Sequence, residues 1–399
     1  MADAGAEEEV EIKGIEDSDV LTKYKTAGDM ASRVLKAVRS ECVAGKRTID
    51  ICKIGDELIL KETSAVYNKQ KDMKKGIAMP TCLSVNNCVC HNRPIDSDPE
   101  IVLADGDVVK IDLAVHLDGY IAPVASTLVV GEPQVTGPKA DVIMAAYTAA
   151  EVALRMMRPG CKTYAVSDAI TKVADAFGCK AVEGFLSHQL SKNKIDGEKA
   201  VIQNPTPQLK KEHKDSVIEV NEVYGIDILM STGQGKTKES EQRTTVFRKM
   251  PDAIYQLKMK ASRQFFSEVS KNFDVMPFQL GALSDEKAAR LGVTECVKHD
   301  LVQPFKILLE EDGVFVAQFK LLVLITPNGN LRGTADVDFN AAAVKSERTL
   351  EDPELVTLLK TTVGSKNKKK NKKKKKSAEG AEATSVSPAE SPADGAAAK

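Results

Sequence analysis

"KIDLAVHLDGYIAP", Lys110 to Pro123, alternates apolar residues on either side of an Asp-Gly pair and reads as a β-hairpin with a two-residue turn at Asp118 and Gly119. That turn sets Leu117 opposite Tyr120 and carries the register outward, so Asp112 faces Ala125 and Pro123 lies on the diagonal of Asp112. Diagonal neighbours are roughly 7 Å apart at the backbone, so two short carboxylates there would grip one metal ion between them. The chain has an acid at only one of the two places. Pro123, with no N–H to donate, is expected to end the return strand where its amide has no ladder partner or meets a bulge.

Outward from the hairpin, "GDVVKIDLAV" (106–115) is echoed by "NEVYGIDILM" (221–230), with Asp112 and Asp227 in matching places. The echo implies two similar α/β halves that face each other, each offering one carboxylate to a common centre. Upstream, Val20, Tyr24, Ala27, Ala31, Val34, Leu35 and Val38 recur at helical spacing, and a second helix runs through Ile51, Ile54, Leu58 and Ile59. One short strand, "CLSVNNCVCH" (82–91), precedes the hairpin. Thr136 and Pro138 open a helix that "ADVIMAAYTAAEVALRMM" carries to Pro159 and Gly160, and another fits Val166 to Phe177. Strands around Val220 to Ser231 and Val314 to Ile325 bracket a stretch from about Pro251 to His299 that reads as helical. Asp352 and Pro353 start a short helix containing "LVTLL" (355–359), which Gly364 breaks. Its spacing places Leu355, Leu358 and Leu359 on one face, suited either to the groove of a partner or to the protein's own body. Residues 1–17 read as a disordered acidic extension, 346–364 as a C-terminal helical segment and 365–399 as a disordered tail.

The formal net charge of −1 conceals a division: nine lysines in "KNKKKNKKKKK", four acids against one lysine after it, and −7 over residues 1–365. Lys366, Lys368, Lys369, Lys370, Lys372, Lys373, Lys374, Lys375 and Lys376 repel one another into an extended arm. Such an arm binds phosphate backbones by releasing counterions, or serves as a solubilising or nuclear-import segment. The eight cysteines of so long a chain read as reduced thiols. Cys82, Cys88, Cys90 and His91 crowd together, but without a second C-x-x-C or H-x-x-x-H they suggest buried thiols rather than a zinc site. No apolar run approaches a membrane span and "MADAGAEEEVEIKG" is unlike a secretory or mitochondrial leader, so a soluble intracellular protein is expected.

"MPTCLSVNNCVCHNRP", "GDVVKIDLAVHLDGYIAPVAST", "VYGIDILMSTGQGK" and "VAQFKLLVLI" resemble the methionine aminopeptidases of the creatinase-like pita-bread fold over about residues 18–345. The stretch 251–299 resembles the insert of the type II enzymes. The resemblance implies an α/β pita-bread fold of two pseudo-symmetric halves with a helical insert. Those enzymes hold two adjacent divalent metals with Asp, Asp, His, Glu and Glu, one polarising the peptide carbonyl and both lowering the pKa of a bridging water. Carried over, the five ligands fall on Asp112, Pro123, Phe185, Asp227 and Lys320, and an outer histidine on His91. Proline has no donor atom, a phenyl ring presents carbon, and an ammonium repels a divalent ion. His188, three residues from Phe185, would point elsewhere on a regular element. The expectation is therefore no metal, no other cofactor and no peptidase activity. Lys320 is expected either between Asp112 and Asp227 in place of the metals or reaching into solvent. A lone histidine is more often a hydrogen-bonded strand residue, so His91 is given no catalytic role.

A type II body with lost ligands and a lysine-rich tail resembles the proliferation-associated, ErbB-binding protein family of eukaryotes. That resemblance implies a non-enzymatic adaptor associated with RNA, with ribosomal and pre-ribosomal particles, and with growth control. Receptor cytoplasmic segments and transcriptional corepressors are further implied partners, without membrane insertion, in cytoplasm and nucleus including the nucleolus. The competing expectation is an active dinuclear methionine aminopeptidase.

Overall fold

The computed structural model describes residues 13–336 and 338–364. The lysine run 366–376 and the rest of the tail, like residues 1–12, lie outside the described residues. Helices α1 (Ser18–Glu41) and α2 (Thr48–Ser64) open the chain, and Asp17 caps α1 by accepting from the Asp19 N–H. Ile15 is already buried beside α1, so the packed body begins before residue 18. Strand β1 (Lys75–Val85) is followed by the hairpin strands β2 (Val108–Leu117) and β3 (Tyr120–Val129). Then come α3 (Gly137–Met156), with Pro138 in its first turn, α4 (Thr163–Ala176), β4 (Leu186–Leu190), β5 (Ala200–Ile202) and β6 (Val223–Ser231). Helices α5 (Lys260–Asn272) and α6 (Glu286–Lys298), strands β7 (Val316–Thr326) and β8 (Gly329–Arg332), and helix α7 (Pro353–Leu359) complete the body.

One nine-stranded sheet runs in the order β1-β2-β3-β7-β6-β4-β5, with β8 beside β7 and Lys180–Ala181 beside β6. Each half of the sheet has its own helix pair. Ile111, Leu113 and Val124 pack with Val34, Leu35, Ile51 and Ile59 of α1 and α2. Ile226, Ile228, Leu321 and Val323 pack with Ala146, Ala149, Val166 and Ile170 of α3 and α4. The halves meet where β3 joins β7, which brings the two Ile-Asp segments to one centre.

Three expectations need correction. The stretch around residues 82–91 is not one strand: β1 ends at Val85 and a separate strand, Cys88–Cys90, follows after Asn86 turns the chain at φ +50°. Residues 251–299 are not helical throughout. Between α5 and α6 the strand Phe278–Gln279 joins Val246–Lys249, which also pairs Val302–Pro304 in a three-stranded sheet. Phe265, Phe278 and Val293 knit the insert together. Val246 and Met276 reach from it to Ala114 and Ile121, covering part of the sheet face that carries Asp112.

The third correction concerns Pro123, which lies inside β3 rather than at its end. It pairs with Ala114 across the hairpin, as the register requires. Its missing N–H falls on the β7 side, where the ladder is opened by another segment. Thr334 Oγ1 accepts from the Leu322 N–H at 2.8 Å and donates to the Pro123 carbonyl at 2.9 Å, while the Gly333 N–H donates to the Leu322 carbonyl at 2.7 Å. Every polar group that a paired strand would have satisfied there is satisfied by residues 333–334.

The turn end of the hairpin carries a pH dependence. His116 is buried, and its Nδ1 accepts from the Gly119 N–H at 3.4 Å. Burial pushes its pKa from the ordinary 6.5 down to about 4. A neutral histidine in the fold with a higher unfolded pKa contributes stability above that unfolded value and loses it as pH falls toward the folded one. Urea titrations between pH 7 and pH 4 should show about 3 kcal/mol of this loss, and His116→Gln should flatten that part of the profile.

Candidate functional site

Cys82, Asp112, Ala125, Lys320 and Asp227 stand directly opposite one another on β1, β2, β3, β7 and β6. Opposed residues of antiparallel strands share a face, so these side chains form one row across the sheet. Asp112 and Lys320 are two strands apart, roughly 10 Å at the backbone. The lysine crosses that gap over Ala125, whose methyl leaves room for the stem. Lys320 Nζ lies 2.6 Å from Asp112 Oδ2 and 3.0 Å from Asp227 Oδ2.

The remaining groups fix the triad in place. Gln318 Nε2 donates to Asp227 Oδ1 at 2.8 Å. The backbone of Asp227 is held by Ser187 Oγ, which accepts from its N–H at 2.9 Å, and by Gln203 Nε2, which donates to its carbonyl at 2.9 Å. Asp112 Oδ1 is buried without a partner among the described residues. Burial pulls the Lys320 pKa down, but the two carboxylates outweigh it and the net shift is well upward. Burial raises the Asp227 pKa, and the charge of Asp112 adds to this against the opposing pull of Lys320.

Around the row, Pro123 lies against Gly225, where an added Cβ would come within 3.2 Å of the proline Cγ. Phe185 packs with Cys90 and Leu229 in a small apolar cluster. The thiols of Cys82, Cys88 and Cys90 are buried, and burial pushes the pKa of each up. His91 adopts φ +62°, sets Nδ1 at 3.1 Å from the Lys306 carbonyl and packs edge-on against Phe305. His188 differs from expectation: it pairs opposite Gly225, two residues from Asp227, and so shares the face of the acids. Its Nδ1 is buried without a partner among the described residues, and burial lowers its pKa. Lys110, at the head of the quoted hairpin, is only 1 % exposed. It donates to the carbonyls of Asn86 at 2.9 Å and Val316 at 3.1 Å, and burial pushes its pKa down to about 8.

The sequence reading missed Gln318, Thr334 and Lys110. Gln318 had a signal, since it precedes Lys320 by two positions on one strand and therefore shares its face. Leu355 of α7 is buried, and Leu358 and Leu359 pack against the same core as α3. The leucine face that a partner groove would need is thus turned to the protein's own body.

These side chains do not suit a pair of divalent ions. An ammonium stands between the only two acids of the row, one neighbouring position is a proline ring and another a phenyl ring. Among the described residues no three His, Cys, Asp or Glu side chains come together as a metal-holding group. No helix among them is long and apolar enough to cross a membrane.

Comparison with known proteins places this geometry in a family. Residues 22–248 match metallopeptidase family M24. The chain is 47 % identical over 353 residues to "ERBB-3 binding protein 1" of Arabidopsis thaliana, covering 88 % of each. It is 42 % identical over 355 residues to the "curved DNA-binding protein" of Schizosaccharomyces pombe, covering 88 % of this chain and 92 % of that one. "Proliferation-associated protein A" of Dictyostelium discoideum is also 42 % identical over 355 residues, at 88 % and 90 % coverage. A thermophilic Arx1 structure superposes with TM-score 0.83 at 32 % identity, over 88 % of this chain and all of that one. A methionine aminopeptidase from Thermotoga maritima superposes with TM-score 0.55 at 19 % identity, over 81 % of this chain and 99 % of that one, a likeness of fold. The chain has the pita-bread fold and belongs to metallopeptidase family M24, within it to the group of ErbB-3-binding and proliferation-associated proteins.

Proposed function

We propose that this chain is a non-peptidase adaptor that uses an M24 body to bind RNA and ribosomal or pre-ribosomal particles in growth control. Receptor cytoplasmic segments and transcriptional corepressors are further partners on this reading, and the protein works in cytoplasm and nucleus including the nucleolus. The observation that carries the non-peptidase part is the Lys320 ammonium bonded to both Asp112 and Asp227, because it neutralises in place the acids that a divalent ion would need. Names of relatives support the rest: one is called ErbB-3 binding, one proliferation-associated and one curved DNA-binding. The nine lysines of 366–376 supply a phosphate-binding arm by charge alone. With Leu355, Leu358 and Leu359 packed on the body, corepressor contact runs through another surface or needs α7 to undock.

Two measurements test the proposal. Purified protein loaded with cobalt, manganese or zinc should retain no stoichiometric metal and leave a Met-Ala-Ser peptide intact; two bound ions with turnover would establish the enzyme instead. Deleting 366–376 should weaken binding to a structured RNA at least roughly tenfold and reduce the slope of log affinity against log salt by up to about 6. An unchanged slope would place the RNA contacts on the folded body.

A further inference from the structure

Just beyond His91, a cavity of about 530 Å³ is walled by Pro94, Pro99, Ile101 and Ile307, with Asn92 and Glu241 also lining it. Its size is that of a small-ligand or short-peptide site, which typically spans about 300–1,000 Å³. Asn92 is 4 % exposed. Its backbone is anchored, the N–H on Ser84 Oγ at 3.5 Å and the carbonyl accepting from the Leu83 N–H at 2.9 Å. Its carboxamide has no hydrogen-bond partner among the described residues, and its oxygen and nitrogen are not fully enclosed but keep contact with solvent. That free amide lines the cavity.

The frame around it is rigid. Arg93 is locked onto Asp56 at 2.9 Å. Asp98 accepts from the Ile95 N–H at 3.0 Å and pairs with Arg243 at 2.9 Å. Pro94 and Pro99 fix the backbone between these contacts. The Asp98–Arg243 pair cancels its own charge, whereas Glu241 is exposed and has no ion-pair partner among the described residues. The uncancelled charge of the cavity is therefore negative, which opposes a phosphate and favours a cation.

A carboxamide offers a donor and an acceptor side by side, the complement of a peptide N–H and C=O. The proline and isoleucine walls fit one aliphatic side chain, and Glu241 at the mouth fits a basic one. We propose that this cavity docks an extended peptide segment of a partner protein, its backbone paired to Asn92, an aliphatic residue against Ile101 and Ile307, and an adjoining Lys or Arg facing Glu241. The proposal goes beyond the adaptor reading and does not depend on the Lys320 centre or the lysine arm.

The test is methyl NMR on the full chain with labelled isoleucines, titrated with acetyl-Ala-Leu-Lys-Ala-amide. Saturable shifts are expected at Ile101 and Ile307, with Ile254 of the insert, 98 % exposed, as an unmoved control. Asn92→Ala should weaken binding roughly tenfold. Glu241→Lys, at an exposed position that does not threaten folding, should weaken it roughly threefold and turn preference toward acetyl-Ala-Leu-Glu-Ala-amide. Absence of saturable shifts at the highest soluble peptide concentration would overturn the proposal. So would unchanged affinity in the Glu241 variant, or octauridylate moving Ile101 and Ile307 in place of the peptide, which would mark a nucleic-acid site.

Discussion

Replacing Lys320 by methionine should lower the free energy of unfolding at pH 7 by about 3–5 kcal/mol, because two buried carboxylates lose the only cation that pairs with them among the described residues. Methionine keeps most of the stem's length over Ala125, so an opened cavity contributes little. The pH dependence separates this cause from simple misfit. In the unaltered protein the raised Lys320 pKa means that its ion pairs contribute fully below the ordinary lysine value and are lost only as pH rises through the folded one. In K320M the stranded carboxylates take up protons as pH falls, so the deficit should shrink between pH 7 and pH 4. Asp227→Asn added to K320M should recover about 1–2 kcal/mol, since it removes one uncompensated charge while keeping the Gln318 contact. Urea unfolding of the unaltered protein and the two variants at both pH values checks this. A deficit below about 1 kcal/mol at pH 7 would mean that the ammonium does not hold the acids together.

Thr334→Val should cost about 4 kcal/mol, although it removes one hydroxyl and preserves shape. Thr334 is 2 % exposed, and its oxygen serves the Leu322 N–H and the Pro123 carbonyl together. Each of those backbone groups would be left buried and unpaired, at about 1–3 kcal/mol apiece. Thr334→Ser keeps the hydroxyl and should cost about 1 kcal/mol, mainly for the lost methyl. Denaturant midpoints with unchanged m-values would show that native stability, rather than the unfolded chain, has changed. If Val and Ser behaved alike, the hydroxyl would not be what closes the gap beside the proline.

Both predictions concern residues that sit close to the hairpin in space and far from it in the chain. Pro123 and Thr334 are separated by 211 positions, and nothing around Pro123 in the sequence announces the segment that completes its strand. A proline in a strand reads as a strand end because the rule counts the missing donor and has no way to count a visiting hydroxyl. His188 was placed away from the centre by its distance from Phe185 along the chain, whereas pairing with Gly225 decides its face. The sheet inside the insert was illegible for another reason: strands of two to four residues, such as Phe278–Gln279 and Val246–Lys249, carry too few alternations to show a period.

What the sequence determined by itself was local or repeated. The Asp-Gly turn set the hairpin register from Leu117–Tyr120 through Asp112–Ala125, because a two-residue loop leaves only one pairing. The paired Ile-Asp segments marked the two halves, and the residue types at Asp112, Asp227 and Lys320 set one cation against two acids. Only the tertiary structure decided that Lys320 reaches both acids, that α7 lays its leucines on the body, and that Asn92 keeps a free amide in a walled cavity. Those outcomes depend on which strands lie side by side and on what fills the space between them. Chain order does not encode that until the long-range contacts have formed.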